Sequence, residues 1–259
     1  MSELSNRVAL VTGGGKGIGR AVALRLAGEG AAVSVWGRER AALDGLVAEV
    51  RQAGGRAAAF TCDLADPGQI GMAIEGTRRE LGPVDVLVNN AGIAPSGSVL
   101  KTSLAAFKQV LDINLTGAFL CLQAVLPEMI ERRWGRVVNV ASTAAKAGTR
   151  YTSAYCASKH GLLGLTRAAA QEVADKGVTI NAVCPSWVLT DMVERAAGRI
   201  AQTTGRDAEA ALESLRQRNP QGRFLKAEEV AGVVAYLCSP GAGGINGQAW
   251  NVDGGEVTA

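Results

Sequence analysis

Short apolar runs alternate with longer stretches of helical periodicity along most of the chain. This alternation is typical of a parallel sheet that is covered by helices on both faces. Seven runs predict strands, at residues 8–11, 32–36, 57–62, 84–89, 136–140, 179–184 and 248–252. Between them the pattern predicts helices at about residues 18–29, 39–53, 67–81, 104–133, 153–176 and 227–238. We therefore expect an α/β protein in which residues 1–259 form a single domain.

One segment, at about residues 186–222, breaks the alternation. It carries no strand pattern and is rich in Arg, Gln, Ala and Glu. Long connections inside compact domains are usually functional, and many are lids. We therefore expect a helical insertion that lies over one edge of the sheet and covers a substrate.

Composition removes several classes of function. The 27 Lys and Arg residues against 24 Asp and Glu give a net charge of +3, which is too small and too evenly spread to favour nucleic acid as a partner. The single histidine, His160, excludes a multi-histidine metal site, so we expect no metal. The uncharged stretch 230–252 contains Pro240 and several glycines that would leave its backbone unsatisfied in lipid, so we expect no membrane span. The odd number of cysteines, at least 28 positions apart, and a start without an apolar leader favour the cytoplasm; they are Cys62, Cys121, Cys156, Cys184 and Cys238.

A glycine-rich segment follows the first predicted strand and precedes a helix. Five of its seven residues from 13 to 19 are glycines, which let backbone N–H groups approach a pyrophosphate closely. A tight turn between a strand and a helix also needs glycine, so the motif alone leaves a purely structural role open. The predicted cofactor contacts in this segment are Gly13, Gly15, Lys16, Gly17, Ile18 and Gly19.

The end of the second strand bears on the choice of dinucleotide. An NAD-binding site commonly places a carboxylate there, which accepts from the ribose hydroxyls, whereas this chain has Gly37 and Arg38. Arg38 and Lys16 supply two cations that can bind a 2′-phosphate, which favours NADP(H). The alternative is that Arg38 merely begins a solvated helix together with Glu39 and Arg40.

Tyr155 and Lys159 are spaced to share one face of a helix. Four residues correspond to a rotation of about 40° and a rise of roughly 6 Å. Proton exchange by Tyr155 near neutral pH requires its pKa to fall from roughly 10 to about 7, and an ammonium about 4 Å away, helped by the positive charge of an oxidised nicotinamide, supplies about that free energy. Ser142, thirteen residues before Tyr155, can donate a hydrogen bond to a substrate oxygen. Without other motifs, such a pair is usually a surface pair.

The order of these motifs resembles the short-chain dehydrogenase/reductase superfamily over nearly the whole chain. The likeness is carried by residues 12–19, Asp63, residues 89–92, Asn114, Ser142, the Tyr155–Lys159 pair and residues 185–190. It implies a three-layer Rossmann fold with a seven-stranded parallel sheet. It also implies hydride transfer between a nicotinamide cofactor and a carbonyl or alcohol, and a homotetramer.

The resemblance also implies residue roles. Lys159 would hold the nicotinamide ribose as well as act on Tyr155, and Asn114 would support a water relay. Asp63 would meet the adenine. The remaining predicted cofactor contacts are Asn90, Ala91, Gly92, Pro185, Val188 and Thr190. The family commonly has Pro-Gly where this chain has Pro185 and Ser186, and His160 is expected to be structural because it lies about 100° from Lys159 around the helix.

Within the superfamily, residues 152–166 and 222–255 resemble reductases of 3-oxoacyl thioesters and of polyketide ketones. Dehydrogenases of cyclic or aromatic alcohols and diols stay an alternative, and a non-catalytic dinucleotide sensor or scaffold is a remote one. Trp187 either lines the substrate pocket with Ser142 or packs under the lid. Four cations either receive a phosphopantetheine or carrier protein or are simply solvated: Lys101, Arg132, Arg133 and Arg150.

Overall fold

The computed structural model describes residues 3–205 and 207–258. Within them, seven strands form one parallel sheet in the order β3-β2-β1-β4-β5-β6-β7. The strands are β1 Val8–Thr12, β2 Ala32–Gly37, β3 Ala57–Thr61, β4 Val86–Asn89, β5 Gly135–Val140, β6 Val178–Pro185 and β7 Ala249–Val252. Each begins within two residues of its predicted start, which confirms the expected α/β class and the seven-stranded sheet.

Nine α-helices are present in the described part of the chain. They are α1 Gly17–Gly28, α2 Arg40–Gln52, α3 Pro67–Leu81, α4 Leu104–Leu111, α5 Gly117–Glu131, α6 Ser153–Glu172, α7 Asp191–Thr204, α8 Ala208–Arg216 and α9 Ala227–Cys238. Helices α1, α2 and α9 pack on one face of the sheet, and α3, α5 and α6 pack on the other. Both faces are therefore covered, which is why β1, β5 and β6 are buried along their whole length.

The helix predicted at about 104–133 differs in one respect. A π-helical turn, Asp112–Thr116, separates α4 from α5. The whole segment Leu104–Glu131 is long and apolar enough to cross a membrane by length and composition, but Cys121 and Val125 on its α5 part pack in the core beside the sheet. Its apolar character on that side therefore belongs to the core of the fold.

The segment predicted as a helical insertion contains α7 and α8, and its residue 206 lies outside the described residues. The two helices share a small apolar cluster of their own, in which Val193 and Leu215 are buried. A single bridge between Val188 and Leu225 joins the two ends of the segment beside the sheet. Trp187 packs in this same cluster, and the guanidinium of Arg218 lies 5.6 Å from its ring centroid.

Candidate active site

The crevice between β1 and β4 forms at the carboxyl edge of the sheet. Strand β1 pairs with β2 on one side and with β4 on the other, so the strand order reverses at this point. Dinucleotides bind at such switch points in open parallel sheets. The glycine-rich segment, the residues that follow β4 and the start of α6 all meet here.

Two glycines of the segment are required by its geometry. Gly13 has a φ of 66°, which favours glycine, and a Cβ on it would lie 2.9 Å from Nδ2 of Asn90. A Cβ on Gly19 would lie 2.2 Å from the carbonyl oxygen of Gly13. The segment therefore folds tightly back on itself before α1 begins.

The amino end of α1 suits an anionic group. Lys16 occupies the N-cap position and makes no side-chain cap, and the first turn of the helix carries no acidic residue. The first amides of a helix lack intrahelical partners and face the positive end of the helix dipole. These residues fit the pyrophosphate of a dinucleotide.

Hydrogen bonds join this segment to the residues after β4. The amide nitrogen of Asn90 donates to Thr12 Oγ1 at 3.0 Å, and that of Ala91 donates to the same oxygen at 3.1 Å. The side chain of Asn90 donates back to the carbonyl oxygen of Thr12 at 2.9 Å. The predicted contacts from Gly13 to Gly19 and from Asn90 to Gly92 thus belong to one connected unit, and Ile18 packs against the core beneath it.

The two cations that predict a 2′-phosphate site differ in whether they form ion pairs. Arg38 is exposed at the end of β2, and no hydrogen bond or ion pair to it is seen in the described residues. The ammonium of Lys16 lies 2.7 Å from Oε2 of Glu39 and 3.6 Å from Oδ2 of Asp191. Asp63, at the end of β3, accepts from the amide of Ala65 at 3.0 Å and lies at the same edge of the sheet.

Helix α6 brings Tyr155 and Lys159 to the end of β5, where Ser142 follows the strand. Lys159 is 4% exposed, and its Nζ donates to the carbonyl oxygen of Val140 at 2.7 Å. Nζ lies 5.8 Å from the centroid of the Tyr155 ring. Ser142 hydrogen-bonds Tyr155 and accepts from the amide of Ala144 at 3.1 Å. The three predicted catalytic side chains therefore come together.

Burial governs the electrostatics of Tyr155 and Lys159 in the protein by itself. Burial raises the pKa of Tyr155 above its usual value, and only the hydrogen bond from Ser142 acts to lower it. Burial also lowers the pKa of Lys159, to about 8. The expectation that Lys159, helped by the positive oxidised nicotinamide, brings the pKa of Tyr155 near neutrality concerns the complex with the cofactor and stays a prediction. In the protein by itself the ammonium donates to the carbonyl oxygen of Val140 on β5.

Asn114, in the π-helical turn, clamps the segment after β4. Its Oδ1 accepts from the amide of Ile93 at 2.8 Å, and its Nδ2 donates to the carbonyl of Ile93 at 2.9 Å. The same Nδ2 donates to Ser158 Oγ at 3.0 Å, and Ser158 donates to the carbonyl of Tyr155 at 2.7 Å. Ser158 is fully buried, and sequence reasoning missed it; its position between Tyr155 and Lys159 was the available signal.

A second polar network beneath the site was also missed. Asn89 at the end of β4 donates from Nδ2 to Oδ1 of Asn139 at 2.9 Å, and Asn139 on β5 donates to Thr166 Oγ1 on α6 at 2.8 Å. All three side chains are buried. Asparagines that directly follow the apolar runs 86–88 and 137–138 were the signal.

The residues predicted to hold the nicotinamide carboxamide lie beyond β6. Pro185 ends the strand, Val188 is buried, and Thr190 turns its hydroxyl back to the carbonyl of Val188 at 3.2 Å. Ser186 replaces the glycine that is common in the family, and its hydroxyl donates to the carboxylate of Glu256. The serine at this position therefore joins this loop to the C-terminal segment by a hydrogen bond.

Other predicted residues take the following places. His160 is exposed and donates from Nδ1 to the carbonyl of Cys156 in its own helix at 2.9 Å, away from the site. Arg132 hydrogen-bonds the carbonyl of Val84 at 2.8 Å, so it lies at the amino edge of the sheet. Arg133 lies at that edge too, with a hydrogen bond to the carbonyl of Asp175 at 3.0 Å. This position does not support docking of a carrier at Arg132 and Arg133, because the active site lies at the opposite edge.

Comparison with known proteins bears directly on the family. The family model of the short chain dehydrogenase matches residues 7–200. The chain belongs to the short chain dehydrogenase family. The resemblance inferred from the motifs is therefore confirmed, and with it the Rossmann-type sheet.

Relatives within the short chain dehydrogenase family are similar over almost their whole length. The 3-oxoacyl-[acyl-carrier-protein] reductase of Synechocystis sp. is 39% identical, with 99% of each chain covered. A crystal structure of actinorhodin polyketide ketoreductase with NADPH is 40% identical, covers 98% of each chain and superimposes with a TM-score of 0.94. The crystal structure of levodione reductase is 37% identical, also covers 98% of each chain and has a TM-score of 0.93.

Proposed function

We propose that this protein is an NADP(H)-dependent oxidoreductase that reduces a ketone to a secondary alcohol. The observation that carries the proposal is the convergence of Ser142, Tyr155 and Lys159 at the carboxyl edge of the sheet, the edge at which the uncapped amino end of α1 also lies. A proton donor thus lies at the same edge of the sheet as a site that fits a dinucleotide pyrophosphate. This arrangement favours an enzyme over a non-catalytic sensor or scaffold.

The residues near the adenosine end support NADP(H). Arg38 and Lys16 lie near the ends of β2 and β1, and neither Gly37 nor Arg38 offers a carboxylate to ribose hydroxyls. The related polyketide ketoreductase was crystallised with NADPH. When bound, NADPH would supply the hydride.

The chain's own side chains carry the proton. Tyr155 donates its phenolic proton to the ketone oxygen, and the raised pKa keeps that proton in place before reaction. Ser142 donates a hydrogen bond to the same oxygen as negative charge develops on it. Lys159 provides a positive charge within the buried site and an N–H donor for the nicotinamide ribose, and Asn114 keeps the segment after β4 in position.

The proposed substrate is a 3-oxoacyl thioester or a bulky polyketide-like ketone. The two ketoreductase relatives support this class, and α7 and α8 supply a cover for an extended molecule. Arg199 on α7 donates to the carbonyl of Ala94 and to Ser96 Oγ, each at 3.2 Å, so the lid reaches the segment after β4. An NAD(P)-dependent dehydrogenase of a cyclic or aromatic secondary alcohol or diol, which differs in the direction of the reaction, is the second candidate. Levodione reductase, which is almost as similar, supports it.

Lys101 and Arg150 belong to two neighbouring segments, which are joined by a hydrogen bond from the amide of Gly97 to the carbonyl of Tyr151 at 2.7 Å. We propose that these two cations, and not Arg132 or Arg133, receive the phosphate of a phosphopantetheine if the substrate carries one.

We also propose a homotetramer in the cytoplasm. Leu104 and Phe119 on the α4–α5 segment are 67% and 42% exposed, which is unusual for large apolar side chains and favours contact with another copy. Tyr236 stacks on Trp250 with 5.7 Å between ring centroids and offers a second apolar surface. The free thiols of the five cysteines are consistent with a reducing compartment.

A substrate panel tests the proposed function. It contains 3-oxoacyl thioesters, bulky aromatic ketones and cyclic ketones with their alcohols, each assayed with NADPH, NADH and the oxidised cofactors. We expect ketone reduction with NADPH to have the highest kcat/KM. Cofactor binding without turnover of any member would instead favour the sensor or scaffold, and preferred alcohol oxidation would favour the second candidate.

A further inference from the structure

Lys16 lies between two carboxylates that belong to different elements. Glu39 is the N-cap residue of α2, and Asp191 is the first residue of α7. Both carboxylates raise the pKa of Lys16, Glu39 more than Asp191, so the ammonium form is favoured. The phosphate-binding segment, the helix after β2 and the lid are therefore joined through one side chain.

The backbone brings these groups together. A Cβ on Gly17 would lie 3.0 Å from Cγ2 of Thr190, so the start of the lid rests directly on the glycine-rich segment. Asp191 also faces Arg195 of its own helix, with 3.9 Å between Oδ2 and Nη2. Asp191 thus keeps one cation when Lys16 leaves it, whereas no second ion pair of Glu39 is found in the described residues.

The two carboxylates compete with a third anion. A 2′-phosphate is roughly dianionic and needs donors, and Lys16 is one of the two cations available to it. The charge of Lys16 is already compensated by Glu39 and Asp191, whereas Arg38 has no such pair among residues 3–205 and 207–258. Binding of the phosphate therefore requires Lys16 to leave or share its carboxylate partners.

We propose that Glu39 and Asp191 are specificity-determining residues that restrain Lys16 and thereby weaken the preference of this site for NADP(H) over NAD(H). This inference rests on the proposed NADP(H) dependence. Exposed ion pairs contribute little free energy, so each restraint is expected to change the affinity for the phosphate by about two- to five-fold.

The test measures binding without turnover. Calorimetric titration with 2′,5′-ADP and with 5′-AMP isolates the 2′-phosphate from the rest of the cofactor. We expect Glu39→Gln and Asp191→Asn each to tighten 2′,5′-ADP by about two- to five-fold and to leave 5′-AMP unchanged. These gains in affinity for 2′,5′-ADP should vanish near 1 M salt, where the Debye length is about 3 Å.

Matched variants control for the loss of any nearby negative charge. Asp44→Asn breaks an ion pair with Arg40 on α2, and Glu194→Gln removes a second carboxylate from the first turn of α7. Neither carboxylate pairs with Lys16, so neither change should tighten 2′,5′-ADP. Equal gains in these controls would overturn the inference.

A double-mutant comparison distinguishes restraint of Lys16 from direct repulsion. In a Lys16→Ala background, Glu39→Gln and Asp191→Asn should no longer change the affinity for 2′,5′-ADP. Gains that persist there, or single variants that match the wild type, would overturn the inference while the proposed function stands. A wild type that binds 5′-AMP as tightly as 2′,5′-ADP, and NADH as tightly as NADPH, would contradict the proposed cofactor itself.

Discussion

The ammonium nitrogen of Lys159 lies 2.7 Å from the carbonyl oxygen of Val140, so the buried cation of the site is held by the last residue of β5. No carboxylate ion-paired with Lys159 is seen in the described residues. Burial consequently dominates its titration and lowers its pKa to about 8. The site therefore holds its positive charge at neutral pH and loses it under mildly alkaline conditions.

This titration predicts a basic limb in the pH profile. Because kcat/KM reports groups of the free enzyme, ketone reduction should fall by about tenfold per pH unit above about pH 8, as Lys159 loses its proton. Tyr155 does not cause this limb, since burial raises its pKa and keeps the phenol protonated there. Steady-state assays between about pH 6 and about pH 10 measure the profile.

Lys159→Arg provides the matched control. A guanidinium stays charged across this range, so the basic limb should move upwards even if the maximum rate falls. A limb that stays near pH 8 in this variant would assign the titration to another group.

Replacement of Tyr155 by Phe should lower turnover by at least about 10³-fold, near the upper range for general acid–base catalysis. The ring and its packing are kept, so NADPH should bind with nearly unchanged affinity. Single-turnover kinetics and fluorescence titration of NADPH separate the two effects. Retention of more than a tenth of the activity would show that the proton comes from another donor.

Arg38→Ala should weaken NADPH by roughly 10- to 150-fold, because a hydrogen bond to a charged group contributes about 1.5–3 kcal/mol. NADH lacks the phosphate and should bind almost equally well to both proteins. Kinetics with both cofactors at several salt concentrations measure the ratio. A wild type with a higher kcat/KM for NADH would contradict the assignment.

Gly37→Asp, added to Arg38→Ala, should move the preference further towards NADH. A Cβ on Gly37 would meet Leu43 Cδ2 at 3.5 Å, an ordinary contact, so the aspartate can be accommodated. Its carboxylate would repel the phosphate and offer an acceptor to ribose hydroxyls. An unchanged ratio of kcat/KM for NADPH to kcat/KM for NADH would show that the adenosine ribose does not bind beside Gly37.

Ser158→Ala should reduce the free energy of unfolding by about 1–3 kcal/mol, because the carbonyl of Tyr155 and an N–H of Asn114 each lose the buried hydroxyl of Ser158 as a partner. Urea unfolding measures the loss. Ser214→Ala is the control, since Ser214 donates only to Ala211 in its own helix and is half-buried. Equal losses of unfolding free energy in the two variants would show that the hydroxyl of Ser158 stabilises the protein no more than an ordinary hydroxyl within a helix.

The alternation of apolar runs predicted the sheet well because both of its faces are buried. The carboxyl end of β5 then places Ser142 at the edge of the sheet where α6, which carries Tyr155, begins. Local spacing also placed Tyr155 and Lys159 on one face of α6. It did not predict that Nζ would bond to Val140, because that carbonyl belongs to another element. Local spacing also cannot predict ion pairs between different elements. Lys16 was therefore identified as a cation without its partners Glu39 and Asp191.

The network of Asn89, Asn139 and Thr166 bears on the register in which β4 pairs with β5. Asn89 faces Asn139 in the register of β4 with β5, and the strand residues beside them, Val88, Val138 and Val140, are apolar. Apolar neighbours alone would tolerate a slip along the strand axis, but a one-residue slip here would turn both amides away from each other. An apolar replacement of Asn89 would leave the buried Oδ1 of Asn139 without its donor, whereas a joint apolar replacement would remove the polar pair that aligns these two strands.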